Sequence, residues 1–132
     1  MADKEDLREL VRNAPLRDRM LIVERLSRPL RAALRKTDTW ATKDGRTLAL
    51  ENIEPSHRAN LLAFLQRRAA FAKQGVEAEY VYGHEPHGEM ALEDFHSELD
   101  HIAWQSPEEW LSDQPLYKRL VSLEEERVGR HE

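Results

Sequence analysis

The chain has 132 residues, 40% of them hydrophobic and 34% charged, with no cysteine and a formal net charge of -5. This length fits one domain able to bury a core, and the apolar share separates it from disordered chains. Missing thiols exclude disulfides and thiolate metal centres, and no apolar run reaches the length of a secretion signal or a membrane span, so a soluble cytoplasmic protein is expected.

In chain order, Asp3 suits a helix N-cap, and Leu7, Leu10 and Val11 share one face, which predicts a short helix over 3–12. Pro15 restarts the pattern. Leu16, Met20, Val23, Leu30 and Leu34 then follow helical spacing, with Leu26 and Ala33 alongside and Ser27 the one interruption. Pro29 predicts a kink or break near Ser27, with Ser27 capping the second piece. Arg28, Arg31 and Arg35 are expected on one wet side, either as a phosphate-binding stripe or as partners for the chain's own acids. The apolar stripe is also one along which a second copy of the chain can pack.

Between Thr39 and Leu50, the Asp44-Gly45 pair predicts a hairpin with a type I′ turn. Pro55 opens the next helix. Leu61, Leu62, Phe64, Leu65, Ala69, Phe71 and Ala72 make it apolar around much of its circumference, as for a central core helix. Arg58, Arg67, Arg68 and Lys73 are expected on its wet side, with Gly75 as its end. Val76 to Tyr82 alternates loosely and predicts a third strand. Gly83 to Gly88 reads as a loop, and Glu89 to Trp104 as a helix with Leu92, Phe95, Leu99 and Ile102 inward. Ser106-Pro107-Glu108-Glu109 has the grammar of a helix start. Pro115 opens a last helix carrying Leu116, Leu120 and Leu123, with fraying expected from Arg127 onward. The expected fold is α+β and predominantly α-helical: a helical bundle with a small β-hairpin or three-stranded antiparallel sheet, in a single domain over 1–132.

Charge is unevenly distributed along this order. Residues 1–73 carry 16 Lys and Arg against 10 Asp and Glu. Residues 74–117 contain 11 carboxylates and no Lys or Arg, together with four of the six histidines. The C-terminal helix and tail, 114–132, are nearly balanced. Three uses of the acidic stretch follow: a solvated face, a dock for the chain's own basic helices or a second copy, or a surface for a basic partner. The partner reading assigns Glu85, Glu89, Glu93, Asp94 and Glu98, with Trp110 as an aromatic anchor. Direct nucleic-acid binding is not expected, because the chain lacks a strong basic excess.

The same stretch holds the candidate metal ligands. His84 and His87 are close in the loop, and Glu93, His96 and Asp100 follow at i, i+3 and i+7 on one helix side, with His101 near it. Imidazole with carboxylate suits Zn²⁺ or another divalent metal. Glu54 and His57 repeat the Glu-x-x-His spacing, as in di-metal bundles, although Pro55 starts a helix between them. Phosphate-binding, dinucleotide-binding, nucleophile-elbow and zincin motifs are all absent, so no catalytic residue is assigned.

Trp40 to Asn60 resembles a pattern in small uncharacterised bacteriophage proteins, carried by Trp40, Lys43, Asp44, Gly45, Leu48, Leu50, Ile53, His57 and Asn60. Residues 107–120, PEEWLSDQPLYKRL, look like the ends of some phage and actinobacterial proteins. Arg58 and Ala59 depart from the pattern, which often has aliphatics there. The resemblance implies a phage-type origin, hence the host cytoplasm, and brings no activity. By analogy with small acidic phage proteins, the expected function is a non-enzymatic accessory protein that binds a host or phage protein and inhibits nucleic-acid-handling or defence machinery. A metal-binding protein and a structural homo-oligomer or virion component are the alternatives.

Overall fold

A computed structural model of the protein describes residues 15–83 and 89–130, with the backbone alone for 89–91. Among the described residues the order is α1 (Leu16–Leu34), β1 (Thr39–Ala41), β2 (Thr47–Ala49), a 3-10 turn (Leu50–Asn52), α2 (Pro55–Tyr82), α3 (Glu89–Trp104), α4 (Pro107–Ser112) and α5 (Pro115–Arg130). The fold is predominantly helical α+β, as expected. The helix anticipated over 3–12 lies outside the described residues.

The central element is α2, and it is longer than its sequence suggests. Its buried positions Arg58, Leu61, Leu65, Ala69, Ala72, Gly75 and Ala78 recur every three or four residues, a helical period throughout. Gly75 therefore does not end the helix. It sits where α1 crosses α2 so closely that a Cβ on Gly75 would lie 1.8 Å from Ser27 Oγ. Glycine is needed there for backbone approach, not for a left-handed turn. The stretch 76–82 is consequently the last two turns of α2 and not a third strand. Glu77, Ala78 and Glu79 are good helix formers, and that preference prevails over a loose alternation.

α1 runs through Pro29 without a break. The proline ring lies on the exposed face, where water can satisfy the carbonyl it leaves unpaired. Ser27 is fully buried and caps nothing: its hydroxyl donates to the Glu24 carbonyl (3.1 Å) and accepts from Arg31 Nε (3.0 Å). Leu34 enters the core, whereas Leu16 and Leu26 are exposed. The real stripe thus rotates toward the residue that seemed to interrupt it.

β1 and β2 pair antiparallel, with Trp40 opposite Leu48. Gly45 N–H donates to the Thr42 carbonyl (3.1 Å) and Thr42 N–H to the Arg46 carbonyl (2.8 Å), with φ +85° at Gly45 and no other positive φ among the described residues. This is a three-residue loop, a type I turn followed by a left-handed glycine, in place of the expected type I′. Trp40 packs edge-on against Phe64 of α2, with centroids 6.4 Å apart, so the hairpin gains the helical cover that a lone hairpin lacks.

The C-terminal elements close the core. Ser106 caps α4 by accepting the Glu109 N–H (3.1 Å), and Pro107 takes the first helical position. This start turns Trp110 and Leu111 inward against Leu61, Leu65, Leu116 and Leu120. α5 continues past Arg127 to Arg130, with the Arg127 guanidinium held by Glu124 (3.0 Å). Residues 131 and 132 lie outside the described residues. No helix among the described residues is long and apolar enough to cross a membrane.

Candidate functional site

α3 places the acidic stretch on display. Phe95, Leu99 and Ile102 are half-buried; the opposite side carries Glu93, Asp94, Asp100 and His101, and His96 and Glu98 flank the buried face, all six exposed. Tyr80 of α2 supports the helix from beneath. Its ring lies 5.1 Å from Phe95, and its hydroxyl donates to Glu98 (3.0 Å). Burial first, then the bond to the Glu98 carboxylate, raises the Tyr80 hydroxyl above its ordinary pKa, so it remains a proton donor. Glu85 and the Glu89 side chain lie outside the described residues.

Among the described residues the basic half does not neutralise this face: the ion pairs made there by the 74–117 stretch are Glu77 with Lys73 and Glu79 with Arg31, both carboxylates being on α2. Glu93, Asp94, Glu98 and Asp100 have no Lys or Arg partner there. The cations expected on wet faces are instead partly inside. Arg31, Arg58 and Lys73 are all buried, each against carboxylates, while Arg67 and Arg68 are exposed as expected. Arg31 turns away from the anticipated stripe with Arg28 and Arg35 and bonds Ser27, Glu24 (3.0 Å) and Glu79. Removing a buried charge from water is tolerable only with such partners.

Two carboxylates in these networks set a pH response. The hydrogen bond from Arg28, against the opposing effect of burial and with help from Arg31, holds Glu24 below the ordinary carboxylate range. At Glu124 burial pushes the carboxyl up, but the bonds from Arg127 and Arg58 outweigh it and leave it lowered. A carboxylate whose folded pKa is depressed contributes stability that is complete above its unfolded pKa of about 4.3 and is lost as pH falls through the folded value. Thermal melts are therefore expected to show the melting temperature falling below roughly pH 4.3. Glu24→Gln and Glu124→Gln should flatten that fall; an unchanged slope in both would remove these two groups from the account.

The candidate metal ligands do not converge within the described chain. Glu93, His96, Asp100 and His101 run along exposed α3, and among the described residues no three His, Asp or Glu side chains gather as a metal set. His84 and His87 lie outside the described residues. Glu54 is the N-cap of α2 and His57 is exposed within its first turn.

The indole that the sequence offered as an anchor is buried. Trp110 is 4% exposed and belongs to the core, so its ring is not offered to a partner. Trp104 is 88% exposed. It follows Asp100 by one turn and Glu93 by three, and so ends the acidic outer side of α3. The signal was legible: Trp104 lies two residues beyond inward-facing Ile102, about 200° round the helix. Beside the face, a cleft of about 720 Å³ between α1, α2 and α3 is lined by Leu21, Glu24, Arg28, Arg35, Tyr80 and Phe95 among others.

Comparison with protein-family models, curated proteins and solved structures gives no match.

Proposed function

We propose that the protein is a non-enzymatic accessory protein that binds a basic protein surface through the outer face of α3. The observation that supports this reading is that Glu93, Asp94, Glu98 and Asp100 have no Lys or Arg partner among the described residues and lie on the helix that ends in the exposed Trp104. Carboxylates steer a cationic partner and fix its orientation, and a large aromatic ring gives the contact apolar area that charge alone does not. Trp104 also presents a π-face to a Lys or Arg of the partner. Basic surfaces of this kind are what nucleic-acid-handling proteins turn toward phosphate, so occupancy by α3 would block them. The phage-type resemblance gives that inhibition a setting, in host cytoplasm.

Capture from a bacterial lysate at low and high salt tests the reading. Replacing Glu93, Asp94, Glu98 and Asp100 with Lys is expected to abolish the salt-sensitive capture, and Trp104→Ala to weaken it at least about tenfold. Trp104→Ala should leave stability within about 0.5 kcal/mol, because the ring is almost wholly in water. Capture that survives the four charge reversals would sink the proposal.

A further inference from the structure

A second site is built away from the acidic face, where the start of α2 meets α5. A cleft of about 590 Å³ opens there, with Ile53, Pro55 and Leu123 among its walls and four arginines around it: Arg58, Arg119, Arg127 and Arg130. Among the described residues three carboxylates, Glu51, Glu124 and Glu126, are their partners, one fewer than the arginines. The rim pairs are slack. Arg119 stands 3.7 Å from Glu51 and Arg130 3.8 Å from Glu126, both beyond hydrogen-bond length, so neither guanidinium is committed.

The inner wall carries an independent sign of a ligand. Arg58 is 6% exposed. Its terminal nitrogens donate to Glu124 (2.9 Å) and to the Ile53 (3.1 Å) and Leu50 (3.5 Å) carbonyls, but its buried Nε has no acceptor among the described residues. Native interiors seldom leave such a donor unmet. Pro55, the first residue of α2, also lines the cleft; it has no N–H to offer, so the arginines are the donors there.

We propose that this cleft binds a phosphate dianion, free or as a small phosphomonoester. Arg119 and Arg130 swing from their slack carboxylates to grip it from the rim, and Arg58 and Arg127 supply charge from within. Guanidinium planes match phosphate oxygens two at a time, which a chloride ion does not exploit. The apolar walls at Ile53 and Leu123 leave room for the ester's organic part.

The test is titration of the full chain with inorganic phosphate and with adenosine monophosphate, against chloride at equal ionic strength, followed by calorimetry and by the Arg58 Nε–H resonance. Phosphate is expected to saturate and to move that resonance, whereas chloride does neither. The Arg119→Ala/Arg130→Ala variant, altered only at the rim, should bind at least about tenfold more weakly at an unchanged melting temperature. Arg67→Ala/Arg68→Ala, on exposed α2 surface elsewhere, should bind as the parent does. Tighter binding of the nucleotide than of phosphate assigns an ester ligand, and equal binding assigns phosphate itself. Equal binding by the rim variant and the parent, or a chloride response matching that of phosphate, overturns the site.

Discussion

Trp110→Ala is expected to destabilise the protein by about 3–5 kcal/mol, the range for truncating a large buried aromatic side chain. The ring fills the space where α4 meets α2 and α5, among Leu61, Leu65, Leu116 and Leu120, and its removal leaves a cavity that these helices cannot close without losing other contacts. α4 has only six residues and makes little helix energy of its own. It functions as a plug, set by the Ser106 cap and held by Trp110 and Leu111. Chemical denaturation measures the effect directly. A loss below about 1 kcal/mol would mean that the ring is not a core element, and would reopen its role as a partner anchor.

Gly75→Ala should destabilise by about 2 kcal/mol even though alanine is the better helix former. The substitution gains about 1 kcal/mol of helix propensity in α2. Against that, the new Cβ would lie 1.8 Å from Ser27 Oγ, 2.8 Å from Ser27 Cβ and 3.0 Å from Arg31 Nε, so α1 must retreat. Overpacking of this kind costs typically 1–3 kcal/mol, and the short, fully buried Ser27 side chain has no room to yield, which places the cost near the upper end, about 3 kcal/mol. Ser27→Gly removes the facing atoms. The double variant Ser27→Gly/Gly75→Ala should therefore recover part of the loss relative to the sum of the singles. Additive singles in a double-mutant cycle would show that the two residues do not meet.

These two positions also show what the sequence could and could not disclose. α3 was legible to the residue, because Leu92, Phe95, Leu99 and Ile102 repeat cleanly and Trp104 precedes a capped restart at Ser106. The hairpin was legible from Asp44-Gly45, though not its turn class, since a glycine that supplies a left-handed residue serves either loop. Gly75 was opaque. A glycine that ends a helix and one that admits a neighbouring helix look alike until that neighbour is known. Arg31, Arg58 and Lys73 were opaque for the same reason. A cation at a helix position reads as solvated unless its acid is in view, and for Arg58 that acid lies 66 residues away. At the candidate face, the separation of charge was plain from composition. The face's lack of Lys or Arg partners among the described residues was not, because that depends on which cations turn inward. The burial of Trp110 and the exposure of Trp104 were within reach of a helical wheel, but a capped start drew attention to Trp110.

The Arg58–Glu124 pair has a consequence for how the chain is made. Synthesis delivers α2 well before α5. At about 5–20 residues per second, the 66 residues between them take roughly 3–13 s. During that interval Arg58 and the apolar side of α2 have no C-terminal cover. A buried guanidinium without its carboxylate is strongly unfavourable, so Arg58 is expected to stay in water until Glu124 arrives. Final packing of the central helix thus waits for α5, and a helix translated later is the one that allows α2 to become an interior.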